Sequence, residues 1–385
     1  MGRLTLGWVA AVAAFLLQDF LQSPLPLVSS AGILAALVGV ILVCSAGVVA
    51  QAERLAAILG DPYGTLILSV SIAVIEVILI SAVMLGVGPN QTIARDSIMA
   101  VSMIILNLVV GAALVVEAHR APRAVANRRG ALIYLALITS MLALAFALPT
   151  LLPGDPGGRF LPGQQVAVAA VSVVLYGGFL YLQTGPWRAA FQEVGSGAAR
   201  AGKSPSGAPV LPRHSHIGPV IRENIRELVG RTAAIALLMV PVVVLSNDMA
   251  HQLERIVVAA RAPVALSGLL IAMIVFLPET ITTLRAASFG EAQRVSNLTH
   301  GALLSTLGIT IPVVLTLSLI TGVPVVMGES PANLGFLGAT LLLSFATFAT
   351  ERPHLGAGRG KGRKAVFAAA HLTLFAFYLG HLFAG

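Results

Sequence analysis

The chain has 385 residues, 57% of them hydrophobic and only 10% charged, whereas soluble globular domains are about 25% charged. This excludes an ordinary water-soluble domain, and the apolar runs between the charge clusters approach the roughly 20 residues that a helix needs to cross a bilayer. The net charge of +8 follows the two sides of the expected topology instead of forming a patch, so no nucleic-acid partner is expected.

Taken in chain order, the first apolar span covers 6–20, closely behind Arg3. Its shortness also fits a signal peptide; it is expected to be retained as an N-terminal transmembrane helix and loop over 1–27. The second span, 28–50, holds Cys44, whose solitude rules out an intrachain disulfide. The third, 63–88, carries Glu76 in an otherwise apolar or small run, and a carboxylate at that depth marks a pathway or a partner. Spans follow at 97–117, with Asn107, and at 130–152 and 164–184.

Residues 187–230 form the longest polar stretch and are expected to be a cytoplasmic basic linker rich in Gly, Ser and Pro. Its tail, 217–229, has a more helical pattern and is expected along the inner membrane surface. Two histidines in this linker, His214 and His216, lack further ligands for a metal.

Beyond the linker, spans are expected at 231–248, 256–277 (reaching toward 288), 297–321, 332–350 and 365–383. Glu279 lies in the second of these, behind Pro278, which removes a backbone hydrogen bond and permits a helix break. Thr282 and Thr283 stand at i+3 and i+4 from Glu279 on one helical face. The span 297–321 contains His300, Ser305 and Thr306; His300 fits either a proton relay or packing at the inner interface, with packing preferred. His371 and His381 are expected at the interface or surface. Residues 356–364 are expected to be a basic loop near anionic lipid heads, because Gly362 stands where a phosphate loop needs Ser or Thr.

The expected fold is therefore an all-α polytopic membrane protein with eleven transmembrane helices, since backbone groups cannot face lipid unpaired. With the N-terminus in the cytoplasm, 20 of the 24 Lys and Arg fall on the inner side and four (Arg95, Arg159, Arg255, Arg261) on the outer, which puts the C-terminus outside.

Setting the first helix aside, five spans precede the linker (28–186) and five follow it (231–385). In the second span of each set stands the only acidic residue at mid-membrane depth, Glu76 or Glu279. A five-helix unit crosses an odd number of times, so two copies point in opposite directions. Such inverted repeats place a binding site at mid-bilayer between them.

Two carboxylates facing one another in low dielectric are stable as neutral acids or as anions around a cation; the empty dianion is costly. Protons and a cation thus compete for one site, the physical basis of antiport. Oxygen ligands suit hard cations, and Ca²⁺ takes about 6–8 of them, so two glutamates need supporting oxygens. Asn107, Thr282, Thr283, Ser305 and Thr306 are the candidates. Asn107 fits equally as glue between helices, and the threonines can instead bond their own helix carbonyls.

Residues 60–77 (GDPYGTLILSVSIAVIEV), 277–287 (LPETITTLRAA) and 297–312 (NLTHGALLSTLGITIP) resemble the signature regions of the bacterial calcium/proton (sodium-potassium/proton) antiporters of the cation/calcium exchanger superfamily. The resemblance implies that Glu76 and Glu279 are the central cation and proton ligands, in two inverted five-helix repeats with an extra N-terminal helix. It implies Ca²⁺ as the exchanged ion, with Na⁺ or K⁺ as the alternative, H⁺ as counter-ion, and no cofactor. Calcium/proton exchangers of the wider superfamily commonly carry Gly-Asn-x-x-Glu in both repeats; here Ile72 and Ala73, and Val275 and Phe276, stand in place of Gly and Asn.

Expected partners are therefore membrane lipid, inorganic cations and protons, in a bacterial inner membrane. An intramembrane serine hydrolase is disfavoured, because Ser267 follows Ala265 where that motif needs glycine and has no base at its depth. An uncoupled channel is the remaining alternative.

Overall fold

The computed structural model describes residues 2–23, 25–59, 70–71, 73–75, 77–78, 80–81, 84, 91–152, 157–191, 217–263, 265–351 and 357–384. Glu76 lies outside the described residues, as does most of the span expected at 63–88.

The described chain is helical, with one isolated β-bridge between Arg159 and Val326. Helices α1 (Gly2–Leu16) and α2 (Leu27–Leu59) are followed by α3 (Ile93–Arg120), α4 (Arg128–Leu151) and α5 (Pro162–Thr184). Then come α6 (Ile217–Ala259), α7 (Ala265–Ser288), α8 (Ala292–Thr321), α9 (Pro331–Ala349) and α10 (Ala357–Ala384). Among the described residues, eight helices are long and apolar enough to cross a membrane, and the halves of α7, Leu266–Ile274 and Glu279–Ser288, count together as a ninth. Helix α1 is apolar but only 15 residues long.

The local chemistry sets several boundaries. Asn127 caps α4 by accepting the Arg129 amide at 3.1 Å, and Ser330 caps α9 by accepting the Asn333 amide at 3.2 Å. Pro162 and Pro331 occupy first-turn positions, where the missing N–H costs nothing. Helix α6 starts well before the expected 231, with non-helical backbone at Asn224 (φ −110°, ψ 16°) marking a kink. An Arg231–Glu227 pair at 2.5 Å, one turn apart, carries the helix across 230. Helix α10 likewise takes in Gly358 to Lys364, part of the expected basic loop.

The chain divides into two compact units, Met1–Ser97 with Leu211–Val275, and Ile98–Val210 with Phe276–Gly385. In the first, Ile41, Cys44 and Val48 of α2 pack on Val242, Leu245 and Met249 of α6. A side chain at Gly7 would collide with the Cys44 thiol and lie against Pro241, so this glycine lets α1 approach both helices. Trp8 Nε1 donates to the Leu237 carbonyl at 3.1 Å, and Arg3 Nη1 to that of Ala46 at 2.8 Å.

In the second unit α3 and α8 are the most enclosed spans, with 83% and 67% of their most apolar stretch buried. Each contains a π-helical turn, Ile104–Val109 in α3 and Asn297–Gly301 in α8; a third lies in α4 at Ala143–Ala147. Gly308 of α8 lies directly under the Tyr176 ring of α5, and Gly111 of α3 under Leu372 and His371 of α10. Small residues at these points let the helices close up, as is usual in membranes.

Candidate functional site

Residues 276–288 of α7 carry Glu279 inward. Its side chain is buried, 7% exposed, and its Oε2 finds no hydrogen-bond partner among the described residues. One turn on, Thr283 is fully buried and its Oγ1 is likewise unpartnered. Thr280 behaves differently: its hydroxyl donates to the Phe276 carbonyl at 2.8 Å. Two desolvated oxygens on one helical face thus lack donors, a cost of roughly 1–3 kcal/mol per group unless a cation or proton supplies the missing interaction. Thr282 is half-buried, and the interruption between the halves of α7 falls at 275–278, which includes Pro278.

Ser305 and Thr306 of α8, expected as supporting oxygens, are buried at 2% and 1% exposure. Ser305 accepts a hydrogen bond from the Tyr176 hydroxyl at 3.1 Å. Thr310, one turn beyond Thr306, is fully buried with an unpartnered hydroxyl among the described residues, and the sequence reading passed it over. A signal was present: Asn107 stands 31 residues after Glu76 (107 − 76), and Thr310 stands 31 after Glu279 (310 − 279).

Asn107 sits in the π-helical turn of α3, fully buried. Its Nδ2 donates to Thr340 Oγ1 of α9 at 2.8 Å, and its Oδ1 faces His371 Nδ1 of α10 at 3.2 Å. The other ring nitrogen of His371 meets Thr347 Oγ1 at 3.1 Å. His371, expected at the interface or surface, is wholly buried in the protein as a cross-link between α3, α9 and α10.

His300 is wholly buried within the π-helical turn of α8. Its Nδ1 faces Ser296 Oγ and the Ser296 carbonyl, both at 3.2 Å, and its ring meets that of Phe348 edge-on at 4.7 Å. Nε2 has no partner among the described residues.

The family model for the sodium/calcium exchanger protein matches residues 29–185. The putative ionic transporter y4hA of Sinorhizobium fredii is 33% identical over 349 residues, which covers 88% of each chain. The sodium-potassium/proton antiporter ChaA of Escherichia coli is 31% identical over 360 residues, covering 94% of this chain and 90% of that one. Among solved structures, native YfkE superposes with a TM-score of 0.69 at 15% identity, covering 98% of this chain and 100% of that one.

Proposed function

This chain belongs to the cation/calcium exchanger family, whose members are transporters and not enzymes, and on that premise we propose that it is a secondary cation/proton antiporter. It is an all-helical, multi-pass membrane protein. In our reading it spans a bacterial inner membrane eleven times, as an N-terminal helix and two inverted five-helix repeats, with the N-terminus inside and the C-terminus outside.

Glu279 and Glu76 form the central pair, one from each repeat. An ionised carboxylate in low dielectric needs a counter-charge, so the pair holds either protons or a cation. Only a loaded site is cheap to move between the two sides, which couples the flows. Thr282, Thr283, Ser305, Thr306 and Asn107 support the pair with neutral oxygens, and Pro278 breaks α7 beside Glu279. The observation that carries this reading is the buried Glu279 Oε2, unpartnered among the described residues one turn from the unpartnered Thr283 hydroxyl.

Ca²⁺ is the leading cation, because two carboxylates balance one divalent ion. A second reading, Na⁺ or K⁺, is favoured by the name of the 31% identical relative and by the two asparagines missing ahead of the glutamates. The test is reconstitution into vesicles with a pH dye inside, offering Ca²⁺, Na⁺ and K⁺ in turn. Cation flux that moves protons against their gradient supports antiport; movement of both only downhill overturns it in favour of a channel.

A further inference from the structure

A second buried ionisable cluster lies in the unit formed by 98–210 and 276–385, away from Glu279 in sequence and built from three helices and a loop. Glu117, near the end of α3, is 3% exposed and paired with Lys364 of α10, itself 1% exposed. Lys364 Nζ also donates to the Ala124 carbonyl, at 2.6 Å. Glu351, just past α9, is 7% exposed; its Oε2 accepts the Ala126 amide at 2.8 Å, and its Oε1 meets Arg363 Nη2 at 3.2 Å. Two acids and two bases are thus held together with little access to water.

The two acids are not equivalent. Glu117 has an ammonium in direct contact. Glu351 shares its guanidinium with the Thr347 carbonyl (2.9 Å) and the Thr350 hydroxyl (3.2 Å), so its counter-charge is divided. Glu351 and Glu117 also line one narrow crevice, with Ala126, Ala292, Val295 and Phe348, large enough for about one water. Helix α8 contributes only apolar side chains to that lining; its Arg294 turns to Glu291 at 3.4 Å, and His300 stands behind the Phe348 ring.

We propose that Glu351 is a proton-binding site distinct from the Glu76–Glu279 pair, and that its titration sets the pH at which exchange runs. The proposal rests on the antiport reading. One proton from the crevice converts the Glu351 carboxylate to the acid, which takes these four side chains from balanced charge to a net +1 and ends the ion pair with Arg363, whose guanidinium stays on the Thr347 carbonyl and the Thr350 hydroxyl. That ion pair is one of the ties between the end of α9 and α10, beside the Thr347–His371 contact, so the proton weakens the joint between them. Burial, reinforced by the Glu117 charge, pushes Glu351 up to about 7 against the opposing pull of Lys364, Arg363 and the Ala126 amide. A group poised there changes charge within the working range of a cell.

The experiment is cation flux by the full-length protein in vesicles, with Ca²⁺, Na⁺ and K⁺ as probes, recorded against pH for the wild type, Glu351→Gln and Arg363→Gln. If the wild type gives no proton-coupled flux, the antiport reading falls and this proposal with it. If flux is present, the wild-type profile carries an inflection near pH 7 that Glu351→Gln abolishes while flux persists. Removing the nearby positive charge in Arg363→Gln raises the proton affinity of Glu351, moving the inflection upward by roughly 0.5–1 unit. An inflection that survives Glu351→Gln, or that stays put or moves down in Arg363→Gln, overturns the proposal. Should Glu351→Gln fail to reach the membrane, the direction seen in Arg363→Gln decides.

Discussion

Lys364 and Glu117, 247 residues apart in sequence, meet as an ion pair with both side chains sealed from solvent. Removing one partner of such a pair strands the other charge. Lys364→Ala is therefore expected to destabilise the protein by about 3–5 kcal/mol. The double replacement Lys364→Met with Glu117→Leu is expected to recover most of that loss, because neither partner is left behind as an unpaired buried charge. Thermal unfolding of the purified protein in detergent checks both; equal melting of Lys364→Ala and wild type would remove any structural role for the pair.

On its own helical face Glu279 is accompanied only by the neutral hydroxyls of Thr282 and Thr283. Glu279→Gln keeps shape but loses the charge, and proton-coupled flux is expected to fall by at least about tenfold, as for loss of a charged hydrogen-bonding group. Glu76→Gln is expected to match it, and Thr283→Val to cost less, roughly two- to tenfold. Vesicle flux at fixed protein density measures all three. Unchanged flux in both glutamate variants would show that the site lies elsewhere.

The sign of the pH effect on cation binding follows from competition. As pH falls, protons fill the carboxylate pair and remove the negative charge that holds the ion. Apparent cation affinity is expected to drop on acidification, with protons released on cation binding. Isothermal titration in two buffers of different ionisation enthalpy counts those protons; a count of zero contradicts shared occupancy.

Glu351 makes stability depend on pH in the opposite sense to a carboxylate whose ion pair holds it below its ordinary value, because here burial outweighs the pull of Arg363. Its folded value lies near 7, above the ordinary 4.5, mainly because burial disfavours the charged form. The folded state therefore holds the proton more tightly than the unfolded chain. Its contribution is full below pH 4.5 and is lost as pH rises through about 7. Melting temperatures across that window are expected to decline less in Glu351→Gln than in the wild type, and parallel declines would refute the linkage.

Hydropathy alone placed the spans whose ends are marked by local chemistry. The expected 130–152, 164–184 and 332–350 sit close to α4, α5 and α9, where Asn127, Pro162 and Ser330 with Pro331 mark the starts. It misjudged segments whose charges find distant partners. Lys364 reads as part of a basic loop because its partner Glu117 is invisible to any local window, so the true start of α10 is hidden as well. His371 reads as a surface residue for the same reason, until Asn107 and Thr347 enclose it. Of the candidate site, the burial of Glu279 and Thr283 on one helical face was legible from depth and spacing. The engagement of Asn107 with Thr340 was not, because it joins residues 233 apart.

The π-helical turns of α3 and α8 carry a consequence for motion. A π turn accommodates one residue more than an α turn, so the helix on either side is already out of phase by about 100° and 1.5 Å with its regular continuation. Letting that extra residue migrate along α3 would swing Asn107 away from Thr340 without unfolding the helix or losing a net backbone hydrogen bond. The two most enclosed helices of the unit thus carry slack in their winding, which permits rotation where dense packing forbids bending.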